Sequence, residues 1–348
     1  MDPNMAPMLK KMVDDKGEPR MVDRVWISTM GCARNGEKFG QLTAGFGAYR
    51  SGPKIGPEFT FGIYMREATD EPILIIKTAW GGKSLCVDFR PPSAGPWDFG
   101  PGGEKDMSKE QQDKLRQQRR KDSGQYYRLM MKHVKHVLSD IKRVYPDYDS
   151  SQGYEVAGFV WFQGCNDFGD QATYPHPDKP GGFDEYSRLL ACLIRDLRRE
   201  FNAPNMRAVI GVLGINGELD TKRVRQIEPH HIAWLRVFRK AMAAPAAMPE
   251  FKGKVAAVYT EKFWEPQLEE LQSRWPRVKA KSNELKKQQL PRDKRNAAMD
   301  AFLKTVYTPK EWELMEKGVS NAAYHYMGSA KIMARIGKAF GEAMARMN

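Results

Sequence analysis

No stretch of this chain approaches the ~20 consecutive apolar residues that a membrane-spanning helix needs. Its first residues, Met1 to Met8, carry no apolar core of the kind that marks an export signal. As written, the sequence is expected to be soluble and cytoplasmic, and secreted or periplasmic only if a leader has been lost upstream. Cysteine is scarce. Cys32, Cys86, Cys165 and Cys192 stand apart, without CxxC spacing for zinc or the density of a disulfide framework, and they read as small buried hydrophobes. A phosphate loop is lacking too. Gly81-Gly82-Lys83-Ser84 has the right ending, but the first glycine of that pattern falls on Lys77. His133 and His136 share a helix face with no third ligand in reach of the spacing, so that face is read as solvated. The sequence therefore calls for no cofactor and no metal ion.

Charge of one sign is in excess, with 56 Lys and Arg against 43 Asp and Glu, a net +13. The basic residues are spread over Lys114–Lys121, Lys132–Arg143, Arg195–Arg207 and Lys279–Arg295, with acidic residues interleaved in most of them. No aromatic-studded basic stripe accompanies them, so solvated helix faces are the preferred reading and no nucleic-acid partner is expected. A basic polyanion-binding protein stays as the weaker alternative.

What is present is an alternation of strand and helix patterns, the mark of a parallel sheet covered on both faces. Strands are expected at Val25–Met30, Ile73–Thr78, Val156–Phe162, Met206–Leu213 and Val255–Thr260. Helices are expected from Pro57 to Ala68, Lys109 to Lys121, Tyr126 to Val144, Phe183 to Phe201, His231 to Met242 and about Gly328 to Met347. The segment 264–310 reads as a charged helical excursion on a single domain covering 1–348. A long loop at Asp88–Lys105 is rich in proline, glycine and aromatics, and its length marks it as functional or lid-like rather than a plain connector; another loop, Gly164–Gly182, contains Tyr174-Pro175-His176-Pro177.

Two strand ends carry the chemistry. Val156 to Phe162 breaks into Gln163-Gly164-Cys165-Asn166-Asp167, and Ile73 to Ala79 breaks into Trp80-Gly81-Gly82-Lys83-Ser84. In an open α/β sheet, ligands bind beyond the carboxyl ends of the strands. Backbone N–H groups at glycines and an asparagine amide are suited to stabilise an oxyanion, which assigns that role to Gly81, Gly82 and Asn166.

These blocks resemble the sialate O-acetylesterase domain family of the SGNH hydrolases. Its members carry Trp-Gly-Gly after one strand, here Trp80-Gly81-Gly82, and Trp-x-Gln-Gly-x-x-Asp after another, here Trp161 to Asp167. Many relatives have glutamate where Cys165 stands. The resemblance implies a three-layer α/β/α sandwich with a mainly parallel sheet and hydrolysis of O-acetyl groups on a sugar. It assigns His325, just before the last helix, as the base, although the Asp-x-x-His aspartate position is Ala322, with Asn321 one residue further back. Trp80, Trp161, Gln163 and Asp167 are the implied substrate-binding residues, and Trp97 and Tyr174 are further candidates for stacking on a sugar. The expected partner is an acetylated carbohydrate.

One family element has no counterpart here. The serine nucleophile sits in a Gly-Gln-Ser-Asn-Met block directly after the family's first strand, and no such block occurs in this sequence. Ser28, Cys32 and Ser84 lack its context, so the nucleophile is unassigned. Either the sequence starts downstream of a central strand that bears the serine, or the chain lacks the serine and is an inactive, carbohydrate-binding relative. The first is preferred, because losing a middle strand leaves two neighbours with unpaired backbone groups.

Overall fold

The computed structural model describes residues 5–33, 36–48, 52–219 and 229–347. In chain order the elements are α1 (Ala6–Met12), β1 (Val25–Ala33), β2 (Gly36–Gln41), α2 (Pro57–Ala68), β3 (Ile73–Thr78), α3 (Lys109–Asp122), α4 (Gln125–Ser139), β4 (Gly158–Trp161), α5 (Cys165–Phe168), α6 (Asp184–Glu200), β5 (Arg207–Val212), α7 (Pro229–Ala243) and β6 (Val255–Tyr259). Then follow α8 (Pro266–Ser273), α9 (Trp275–Lys287), α10 (Arg292–Val306), α11 (Pro309–Gly318) and α12 (Ala330–Ala345). The expected alternation is present and the fold is an α/β sandwich.

The strands fall into two three-stranded sheets, ordered β2-β1-β3 and β4-β5-β6. β1 and β3 are parallel, with Val25 opposite Ile73 and Met30 opposite Thr78. β4, β5 and β6 are all parallel, and β2 turns back on β1 as an antiparallel edge. The aliphatic run of β3 and the branched residues of β5 are what a strand with helices on both faces requires.

Both sheets share their helical covers. On one face α2 packs on β3 while α12 packs on β5 and β6, and the two helices lie tightly together. That closeness depends on Gly337, where a β-carbon would stand 2.1 Å from the Pro57 carbonyl oxygen. On the other face α4 packs on β3, and its Met130 and Met131 join α6 and β5 in the main core. Helices α8 to α11 surround a small core of their own, built on Leu271, Val278, Val306, Tyr307 and Met315. The charged excursion thus extends through α11.

No ladder joins β3 to β4. Between them, under the shared helices, lies a cleft of about 1700 Å³ lined by every residue of both strands. All six residues of β3 are only half-buried, whereas Ala208 to Val212 of β5, which has a neighbour on each side, are buried. β4 is four residues long, shorter than the run Val156–Phe162 suggested, because its ladder with β5 runs only from Gly158 to Trp161.

Candidate active site

The carboxyl ends of β3 and β4 are tied to each other. Gln163 Nε2 donates to the Lys83 carbonyl (2.9 Å) and to Asp167 Oδ2 (2.6 Å). Asp167, fully buried, accepts from the backbone N–H groups of Leu85 (2.7 Å) and Cys86 (2.9 Å) and from the Tyr174 hydroxyl (3.1 Å). Trp161 Nε1 donates to the Tyr186 hydroxyl (3.1 Å), which donates to the Gln163 carbonyl (3.0 Å). This interior network sets the position of the two loops. Asp167 is saturated by four protein donors, and Trp161, Trp97 and Tyr174 are buried rings. A side chain so enclosed has little surface to offer a sugar, so these four belong to the framework on which the loops are built.

The loop residues themselves reach the cleft. Gly81, Gly82 and Asn166 are exposed. Gly82 has φ of +72°, a left-handed turn that suits glycine, and a β-carbon there would lie 4.0 Å from the Asn166 amide nitrogen. Trp80 is half-buried, edge-on to Tyr126 at 5.3 Å between ring centroids.

His325 lines the same cleft as Gly81, Gly82, Gln163 and Asn166. The two loops touch one residue away from each group, where the Cys165 thiol meets the Tyr324 carbonyl at 3.8 Å. Tyr326 and Met327, just after the histidine, have φ of 52° and 58°, a conformation costing non-glycine residues on the order of 1 kcal/mol or more each. Tyr326 is held there by its buried hydroxyl, which accepts from Gly214 N (2.7 Å) and meets Thr260 Oγ1 (2.7 Å).

The orienting neighbour of the imidazole is Asn321, whose Oδ1 lies 3.2 Å from His325 Nδ1. Donation from Nδ1–H to that oxygen leaves Nε2 as the free base. Sequence reading passed over Asn321 as a partner because the familiar pattern puts an acid at Ala322; the helical turn that folds Asn321 back was not visible in Asn-Ala-Ala-Tyr-His. It missed Tyr324 as well, an exposed ring at the cleft mouth.

Burial lowers the His325 pKa. The ring is therefore expected to titrate below the ordinary histidine value of about 6.5 and to be neutral at pH 7. Asn321→Asp, which adds a negative charge at Nδ1, is expected to raise that midpoint. An NMR titration of the imidazole in both proteins checks this, and identical midpoints would show that residue 321 does not touch the ring in solution.

Three possible nucleophiles are otherwise engaged. Ser28 is buried in β1, its hydroxyl donating to Glu37 Oε1 (2.6 Å) and lying 3.0 Å from His133 Nε2. His133 is thus only 4% exposed, which corrects the reading of a solvated histidine face; His136 alone remains at the surface. Arg143 clamps Glu37 with bonds of 2.8 and 2.9 Å. Serine, histidine and glutamate meet here as a pin between β1, β2 and α4, closed to substrate. Ser84 caps its own turn through Asp88, and the Cys32 thiol points to the Ala79 carbonyl (3.7 Å). Of the four cysteines only Cys86 and Cys192 are buried as the sequence suggested; Cys165 is exposed, yet desolvation pushes its thiol pKa up to about 11, which leaves little thiolate at neutral pH. Among the described residues no group of three or more His, Cys, Asp or Glu is placed to hold a metal ion, and no helix is long and apolar enough to cross a membrane.

A family model described as carbohydrate esterase, sialic acid-specific acetylesterase (SASA), matches residues 41–244. The chain belongs to that family. The match takes in β3, β4 and the loops that follow them, Trp80–Ser84 and Gln163–Asp167, while His325 lies beyond it. None of the curated proteins compared matches the chain. Among solved structures, a protein from Arabidopsis thaliana aligns with 12% identity over 67% of this chain and 68% of its own, with a TM-score of 0.34.

Proposed function

We propose that this SASA-family chain carries the site of a carbohydrate O-acetylesterase, with Gly81, Gly82 and Asn166 as oxyanion donors and His325 as the base. The observation that carries this reading is the single cleft onto which both loops and the imidazole open. In the reaction, a nucleophile's oxygen attacks the acetyl carbonyl carbon and its proton passes to His325 Nε2. The carbonyl oxygen takes the negative charge against the glycine N–H groups and the Asn166 amide. Collapse breaks the bond to the sugar oxygen, which receives the proton from His325, and water releases acetate by the same steps.

The engagement of Ser28, Ser84 and Cys32 supports a second reading for the chain by itself, which is binding of an acetylated sugar without turnover. Binding is the common test. An O-acetylated sialic acid is expected to perturb the NMR signals of Asn166 and His325, and to bind more weakly to Asn166→Ala, while its deacetylated form leaves those signals unmoved. Saturable binding with no effect at either residue would displace the site from this cleft.

A further inference from the structure

We infer that the basic hairpin formed by α9 and α10 is a docking surface for an acidic polysaccharide, a chain of carboxylate-bearing sugars. The choice of a glycan as the polyanion rests on the function proposed above, whereas the anion-binding surface itself does not.

Residues 274–295 hold nine Lys and Arg against two acids, Glu284 and Asp293. Two of the nine are paired: Arg274 with Glu270 (2.8 Å) and Glu311 (3.1 Å), and Lys281 with Glu284 (2.8 Å). The other seven form no ion pair among the described residues, and all but Arg295 are exposed. The basic runs elsewhere differ in this respect. On α3, Arg116 and Arg120 are held by Asp98 and Arg119 by Asp170, and on α6 Arg195 is held by Glu250. Five of the seven unpaired cations stand together at the hairpin tip. Lys286 and Lys287 close α9, a turn of four residues follows, and Arg292, Lys294 and Arg295 open α10. Cations in the first turn of a helix are repelled by its positive end, and Asp293 is the one acid there to offset them. The arrangement weakens the hairpin by itself and is relieved by an anionic partner.

The surroundings favour a glycan. The excursion is rooted on the loop that carries the imidazole: Gln272 Nε2, at the end of α8, donates to the Asn321 carbonyl (2.6 Å), and Asn321 is the orienting neighbour of His325. At the start of α9 the Trp275 ring is exposed and stacked near-parallel to Trp312, at 6.5 Å and 17°, a flat apolar surface on which a sugar ring can lie. From Trp275 to Lys287 the helix runs about 18 Å at 1.5 Å per residue, so a polymer and not a single sugar reaches both. A lipid surface calls for apolar side chains among the cations, and the tip has Leu290, half-buried. Single-stranded nucleic acid calls for a series of stacking rings, where α9 and α10 expose one large aromatic, Trp275.

The test uses the full chain and an α2,8-linked oligomer of N-acetylneuraminic acid that carries no O-acetyl groups, so the chemistry of the cleft plays no part. Binding is expected to be saturable and to weaken as salt is added. The combined variant Lys286→Gln, Lys287→Gln, Arg292→Gln and Lys294→Gln should lose at least about tenfold in affinity, the effect of ~1.4 kcal/mol. Its Tm should be no lower than the parent's, because mutual repulsion has been removed. Arginine at the three lysine positions should retain binding, and Trp275→Ala should weaken it. Undiminished binding by the glutamine variant, or by an oligomer whose carboxylates are converted to amides, would overturn the inference. So would the absence of binding, or tighter binding of a DNA oligonucleotide of equal charge, which would assign the surface to nucleic acid. An oligomer that binds the tip while O-acetylated sialic acid leaves Asn166 and His325 unperturbed would sink the esterase reading and leave the docking surface standing.

Discussion

Replacing Asp167 with alanine is expected to lower the unfolding free energy by several kcal/mol, since each buried donor left without an acceptor costs about 1–3 kcal/mol. The change strands two backbone N–H groups, the Gln163 amide and the Tyr174 hydroxyl around a side chain that was fully buried. Against a native stability of about 5–15 kcal/mol that is a large share, and a urea midpoint measures it directly. The sign of the pH dependence follows from the same burial. Desolvation raises the Asp167 pKa, outweighing the hydrogen bonds from Leu85, Gln163 and Cys86 that favour the ionised form. A carboxyl that holds its proton more tightly in the folded state contributes stability that is fully present below the unfolded value of about 3.9. That stability is lost as pH rises through the folded value. Asp167→Asn cannot ionise, so its urea midpoint should vary less with pH across that window than the wild type's. A wild-type midpoint for Asp167→Ala would show that the loop after β3 is held by something other than this carboxylate.

That network also shows what could be read from the sequence. The placement of Asp167 behind a strand end was legible, because an apolar run stopped at Gln-Gly-Cys-Asn-Asp. Its role as an internal anchor was not, since its donors at Leu85 and Cys86 lie some eighty residues away. Ile73–Thr78 was legible as a strand from its unbroken aliphatic run. Gly36–Gln41 was not, because two glycines and two charges hide the alternation of an edge strand whose partner is next door. His133 looked like one polar residue on a solvated helix face, and only the fold brings Ser28 beneath it.

On the proposed assignments, turnover is expected to require a nucleophile at the carboxyl ends of β3 and β4 as well as the loops. If Ser28, Ser84 and Cys32 stay engaged as the structure has them, the 348-residue chain should release no acetate from an O-acetylated sugar clearly above the spontaneous rate, because the proposed donors and base without a nucleophile would retain only ~10³–10⁴-fold over water. Grafting ahead of Met1 an aliphatic strand that ends in serine should place that serine at the carboxyl ends of β3 and β4, beside Gly82 and Asn166. Acetate release should then become readily measurable. In that form His325→Ala is expected to cost about 10²–10⁴-fold in kcat, the range for a general base, and Asn166→Ala about 10²–10³-fold, the range for one oxyanion donor. The grafted serine changed to alanine should return the rate to that of the parent while keeping any gain in Tm, which separates the nucleophile's chemistry from the strand's packing. Robust turnover by the parent chain, abolished at Cys32 or Cys165, would instead place a thiol nucleophile already within the cleft and remove the need for a serine.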